Sequence, residues 1–182
     1  KVAVDGLAPL TTYYYRFGFH GEFSPVGRTK TAPAPDQAVP VRFAVINCQD
    51  YVGRYYNTLA HLVQAESNRV DFVVHLGDYI YETTGDPGFQ TPGNQRDIVF
   101  ADAAGSIPLG GPASPYAAAA SLDNYRQLYR TYRTDPNLQR LHELYPVIHI
   151  WDDHEFANDC WGANSTDSAG RENEVNVARR RH

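Results

Sequence analysis

Apolar positions along this chain follow two different periods. Near the start, Val2, Val4, Tyr13, Tyr15, Phe17 and Phe19 alternate with other residues, the period of a half-buried strand. Leu7 to Tyr15 reads as a turn followed by a strand, Gly18 to Glu22 as a hairpin, and Gly27 to Thr31 as a last strand. From Val41 the pattern changes. Val41 to Asn47 is a short, mostly apolar run. Tyr55 to Ser67 places Leu59, Leu62, Val63 and Ala65 at helical spacing, and Asp71 to Leu76 is another buried-type strand. Strand, helix and strand with short links predict a βαβ unit and a parallel sheet. Ser121 to Tyr132 predicts a helix capped by Ser121, with Leu122, Tyr125, Leu128, Tyr129 and Tyr132 on one face. Asp135-Pro136 opens a further helix to about Leu144. Pro146 to Trp151 is a third buried strand.

Residues 1–32 therefore form one segment, 33–40 a stiff Pro/Ala linker, and 41–182 an α/β region. Three short strands cannot bury a core alone. They look like the closing strands of an Ig- or fibronectin-type sandwich, with a tyrosine after a Leu-x-Pro turn as in a tyrosine corner. Residues 83–120, rich in Gly, Pro and Ala, read as an irregular excursion and as the candidate wall for specificity. Arg179 to Arg181 reads as a solvated helix face.

Composition narrows the functional classes. Of 182 residues, 42% are hydrophobic and 20% charged, an ordinary globular balance. The net charge of -5 argues against a nucleic-acid binder. No apolar run approaches the ~18 residues of a membrane span. Two cysteines are too few for a disulfide framework, although Cys48 and Cys160 remain able to pair. The chain has no methionine and starts at Lys1, so a fragment or a processed form is expected.

The candidate chemistry lies just past the strands. Cys48-Gln49-Asp50 follows the first, Gly77-Asp78-Tyr79-Ile80-Tyr81-Glu82 the second, and Asp152-Asp153-His154-Glu155 the third. Parallel strands of one sheet end on one edge, where open α/β sheets bind ligands. Cys48, Asp78, Asp153 and His154 are thus expected to converge. Carboxylates suit hard cations, and thiolate and phenolate suit a more acidic iron centre. A carboxylate such as Asp78 can bridge two cations, which together can activate water and clamp an in-line displacement at phosphorus. His154 can protonate a leaving oxygen or stabilise phosphoryl charge. Glu82 and Glu155 read either as acceptors behind these groups or as solvated side chains. Cys48 also reads as a buried inert thiol. Tyr79 and Tyr81 also read as packing aromatics among 13 tyrosines, and His75 and His149 as satisfied interior histidines.

Taken in order, these three motifs resemble the PhoD-like alkaline phosphatases and phosphodiesterases, a branch of the calcineurin-like metallophosphoesterases. Val4-Asp5-Gly6-Leu7, Tyr13 to Arg16, Ser24 to Thr29 and Asp159-Cys160-Trp161-Gly162 extend the likeness over almost the whole chain. The resemblance implies that residues 41–182 are the N-terminal half of a four-layer αββα metallophosphoesterase domain behind a β-sandwich domain. It implies metal-dependent hydrolysis of phosphate mono- or diesters, with metal-bound hydroxide attacking phosphorus, and an iron(III) and calcium centre. Cys48, Asp78 and Tyr81 are implied as iron-side ligands, with Tyr79 as the alternative phenolate. Asp153 takes the place of the superfamily's asparagine ligand, and His154 that of its phosphate-contacting histidine. Cys48 stands where the wider superfamily has Asp-x-His. Further ligands are expected from a C-terminal half, so the chain alone is expected to be inactive and to expose apolar surface. A secreted or cell-surface location is also implied. Two rivals remain: a metal-independent acid/base hydrolase using Asp78 with Asp153 or Glu155, and a non-catalytic secreted surface module.

Overall fold

The computed structural model describes residues 2–66, 69–93, 96–161, 164–165 and 174–175. Arg179 to Arg181 lie outside the described residues. The chain divides into two compact units. The first comprises Lys1–Ile46, Asn57–Val74 and Pro136–Ile148; the second comprises Asn47–Tyr56, His75–Asp135 and His149–His182.

The first unit opens with four short strands, β1 (Thr12–Tyr15), β2 (Gly18–Phe19), β3 (Glu22–Phe23) and β4 (Gly27–Lys30). β1 pairs antiparallel with β4, from Thr12 opposite Lys30 to Tyr15 opposite Gly27. The Tyr15 ring lies over Gly27, where an added Cβ would push the ring aside. β2 and β3 form the expected hairpin across His20 and Gly21, both at positive φ. The Tyr13 hydroxyl accepts from Ala8 N at 2.8 Å, the tie expected of a tyrosine beside this turn. Half-burial holds at Tyr13 but not along the rest of that face: Tyr15, Phe17 and Phe19 are 41%, 64% and 78% exposed. Two-stranded pairs this short supply no second layer to cover them. The Pro/Ala linker is not simply extended either, because Gln37 N bonds Ala34 O and closes a turn.

The predicted strand–helix–strand unit follows as β5 (Phe43–Ile46), α1 (Asn57–Glu66) and β6 (Phe72–His75). The second helix α3 (Pro136–Leu144) leads into β9 (Val147–His149). One three-stranded sheet runs in the order β5-β6-β9. Asp71 N bonds Arg42 O, and further along Cys48 N bonds Gly77 O. Val73 N bonds Pro146 O, and further along Ile150 N bonds His75 O. Partner numbers rise together on both pairs, so the sheet is parallel. Leu59, Val70, Val73, Leu138, Leu141 and Tyr145 make the buried core of this unit. Lys30 Nζ meets Asp71 Oδ1 at 2.5 Å, tying β4 to the start of β6. Phe43, Val45 and Ile148, by contrast, are more than half exposed.

In the second unit, residues 83–120 are more regular than expected. β7 (Ser106–Leu109) and β8 (Tyr116–Ala119) form an antiparallel hairpin, and Thr83 bridges Ala118. Helix α2 (Leu122–Tyr132) starts as predicted at Ser121, whose hydroxyl accepts from Asn124 N in a reciprocal capping box. It buries Tyr125, Leu128 and Tyr132. Arg96 anchors the excursion. Its guanidinium pairs with Asp135 at 2.9 Å and lies 3.7 Å from the centre of the Tyr51 ring. Two two-residue strands, β10 (Asn164–Ser165) and β11 (Glu174–Val175), pair antiparallel. No described helix is long and apolar enough to cross a membrane.

Candidate metal centre

Three loops of the second unit carry the candidate groups. They begin within a few residues of the ends of β5, β6 and β9. Cys48 and Asp78 both sit in the left-handed region, each at φ 54. A non-glycine residue held there costs about 1–2 kcal/mol, and such strain gathers at functional sites. The two loops support each other, because Cys48 N bonds Gly77 O and Gln49 N bonds Asp78 O. Gly77, at φ +103, lets the third loop come close: a Cβ there would run into Asp152 N and Cβ.

The Asp78 carboxylate is the meeting point. Its Oδ2 accepts from the Cys48 thiol at 3.3 Å and from the Tyr81 hydroxyl at 3.4 Å. Oδ1 is buried and has no hydrogen-bond partner among the described residues. Carboxylate oxygens of Asp78 and Asp153 and a ring nitrogen of His154 lie within 4.8 Å of one another. Asp153 is held in turn by His154 N on Oδ1 and by Asp159 N on Oδ2. All the predicted site residues are thus in one unit, and this cluster is drawn from two of the three motifs.

The neighbouring contacts bear on several open readings. The Tyr79 hydroxyl turns away from Asp78 and accepts from Arg133 Nε at 3.4 Å. Cys48 is exposed, not a buried thiol, and no disulfide joins it to Cys160. His75 is interior, with Nδ1 accepting from Gly77 N. His149 is not interior: it is exposed at the end of β9, on a strand whose outer positions are uncovered. Glu82 is fully buried, with Oε2 2.7 Å from His154 Nδ1 and Oε1 accepting from Asn158 N at 2.6 Å. Glu155 reaches across to accept from Asp78 N, Tyr79 N and Asp152 N.

Some contributors carry no metal-type signature and were not anticipated. Phe89, from the excursion, lies 4.9 Å from the His154 ring and 5.5 Å from the Tyr81 ring, centre to centre. The Tyr132 hydroxyl accepts from Tyr81 N at 3.0 Å and donates to Asp50 Oδ1 at 3.4 Å. Gln90 bonds the same Asp50 oxygen. Only the capped, amphipathic pattern of α2 hinted that Tyr132 points inward. A cavity of about 450 Å³ adjoins the Asp78 loop, lined by Tyr79, Tyr129, Arg133, His149, Trp151 and Glu155 among others.

Electrostatics suit a bound cation. Burial raises the pKa of Asp78, and the neighbouring Asp153 and Asp152 charges add to it against the opposing Cys48 bond and His154 charge. Partial desolvation of the sulfur in an otherwise exposed residue, then the Asp78 contact, raises that of Cys48. Burial followed by the Asp78 and Cys48 charges raises that of Tyr81. Three acidic groups thus converge in a place that favours their neutral forms. A cation reverses that preference and deprotonates a coordinating thiol. The orphaned Asp78 Oδ1 and the mixed oxygen, sulfur and nitrogen donors are therefore suited to hold one. His154 differs. Burial pulls its pKa down, but the Glu82 bond and the Glu82, Asp78 and Asp153 charges outweigh this and raise it to about 9.

The fold is a mixed α/β one, and Asp78, Asp153 and His154 form a group able to hold a metal ion. The comparisons narrow this to one family. Residues 43–182 match the PhoD-like phosphatase family and residues 1–33 match the PhoD-like phosphatase N-terminal domain. The chain belongs to the PhoD-like phosphatase family. It is 38% identical over 180 residues to alkaline phosphatase D of Bacillus subtilis (strain 168), covering 98% of this chain and 27% of that protein. It also matches a solved structure described as the structure of PhoD, with a TM-score of 0.72 and 37% identity over 97% of this chain and 30% of the other. The chain thus spans less than a third of the length of these relatives.

Proposed function

We propose that this chain supplies part of the active site of a metal-dependent phosphoric ester hydrolase acting on small phosphate mono- or diesters. The fold proposed with it is the first part of an αββα metallophosphoesterase domain behind the last strands of a β-sandwich. The parallel β5-β6-β9 sheet and the β1–β4 ribbon support that arrangement. The observation that carries the functional reading is the convergence on Asp78. One of its oxygens is shared by Cys48 and Tyr81, the other is buried and unsatisfied, and Asp153 and His154 stand within reach.

Cys48, Asp78, Tyr81 and Asp153 are the proposed ligands, with iron(III) and calcium as the proposed cations and Asp78 as the group able to bridge them. Bound there, the cations would supply an acidified water and neutralise the phosphoryl oxygens. His154 is the proposed catalytic acid. Glu82 engages its Nδ1, which leaves Nε2 to face a phosphoryl or leaving oxygen. Phe89 and Tyr81 flank the imidazole and limit its rotation. The adjoining cavity offers Arg133 and aromatic rings to the organic part of an ester. An exported location goes with this reading.

Hydrolysis of a chromogenic phosphate monoester and diester by the full-length protein, before and after chelation, tests the reading. Activity should vanish on chelation and return when cations are restored. Full activity after exhaustive chelation would favour the metal-independent hydrolase, and hydrolysis of neither ester by metal-loaded protein would favour the non-catalytic module.

A further inference from the structure

Glu155 is the last residue of the Asp-Asp-His-Glu motif, and the metal-site reading gives it no ligand or proton-transfer role. Its carboxylate accepts three backbone N–H groups. Oε1 takes Tyr79 N at 2.5 Å, and Oε2 takes Asp78 N at 3.1 Å and Asp152 N at 2.7 Å. Two of these donors belong to the loop that carries Asp78. The third belongs to the loop that carries Asp153, 75 positions further along the chain.

Left-handed backbone at Asp78 turns the N–H groups of residues 78 and 79 out of any strand pairing. Buried backbone donors need an acceptor, and a bidentate carboxylate is the side chain that can serve several at once. Gly77 allows the two loops to touch, and Glu155 then holds them together. Phe156 N and Ala157 N both bond Asp153 O, which keeps the turn bearing Glu155 compact.

We propose that Glu155 is a positioning residue that sets the separation of the Asp78 and Asp153 carboxylates, and through it the cation affinity of the centre. The proposal rests on the metal-site reading above. Glu155→Gln retains the length but keeps one acceptor oxygen, and its NH2 group then faces a backbone donor. Glu155→Asp keeps both oxygens but is one methylene short of the span.

Mn²⁺ binding to metal-stripped full-length protein, followed by the electron paramagnetic resonance of the free ion, tests this without turnover. Wild type should bind most tightly, Glu155→Asp less tightly, and Glu155→Gln about 10–100-fold more weakly, the usual effect of losing a group that orients ligands. Thermal melts identify the folded variants, and if Glu155→Gln does not fold, the Glu155→Asp affinity decides. An affinity within twofold of wild type in a folded Glu155→Gln, or in Glu155→Asp when it alone folds, would overturn the proposal. Asp78→Asn is the reference: should it lose Mn²⁺ while the Glu155 variants keep it, the positioning role fails and the metal site stands. Should Asp78→Asn itself bind Mn²⁺ like wild type, the metal-site reading fails and takes the proposal with it.

Discussion

Nδ1 of His154 lies 2.7 Å from Oε2 of Glu82, joining residues 72 positions apart in a buried pair. The Glu82 side chain is fully buried, and its second oxygen is occupied by Asn158 N. A carboxylate held this firmly fixes the orientation of the ring and favours a proton on Nδ1, in keeping with the raised pKa.

Replacing Glu82 with Gln should therefore slow hydrolysis by about 10²-fold, the lower end of what general acid catalysis contributes. Cation binding should persist, since Glu82 is not among the proposed ligands. Turnover and metal content measured on the same samples check this. A turnover within a few-fold of wild type would show that the pair does not serve His154 in catalysis.

Tyr81 and Tyr79 should separate spectroscopically. The Tyr81 hydroxyl faces Asp78, whereas that of Tyr79 faces Arg133. With iron(III) bound, Tyr81→Phe should abolish a tyrosinate charge-transfer band in the visible spectrum, and Tyr79→Phe should leave it in place. A band that survives Tyr81→Phe would remove Tyr81 from the ligand set.

Asp71 offers a stability test away from the metal centre. Partial burial raises its pKa, but the bonds from Arg42 N and Lys30 outweigh this and lower it overall. A depressed carboxylate pKa stabilises the fold above the unfolded value near ~3.9 and stops doing so as pH falls through the folded value. Asp71→Asn should cost about 1 kcal/mol at neutral pH, in keeping with a partly exposed pair. The difference from wild type should shrink as pH drops below the ordinary aspartate range. Denaturant unfolding at pH 7 and pH 3 checks both statements.

Local signals in the sequence located the site better than they described its surroundings. Each strand that leads towards Cys48, Asp78 or Asp153 is short and mostly apolar and is followed within a few positions by ionisable residues, so the three junctions stand out. Ser121 marked the start of α2 because a hydroxyl there has one obvious partner, the amide three residues on. The β7–β8 hairpin was hidden, since Ala117, Ala118 and Ala119 show no alternation and Pro108 argues against a strand. His149 read as interior because its neighbours are apolar, yet that face is uncovered. Glu82 and Glu155 could not be assigned from spacing. All their partners but Asp152 N lie more than 70 positions away, and only the fold shows which backbone donors and which imidazole they meet.

Elemental analysis of the full-length protein, purified in parallel as wild type and as Asp78→Asn, tests the central claim most directly. Wild type should carry stoichiometric cation and Asp78→Asn should lose most of it, with ester hydrolysis falling to background. Equal metal content in the two proteins, with hydrolysis intact, would contradict the assignment of Asp78 as the hub of the centre.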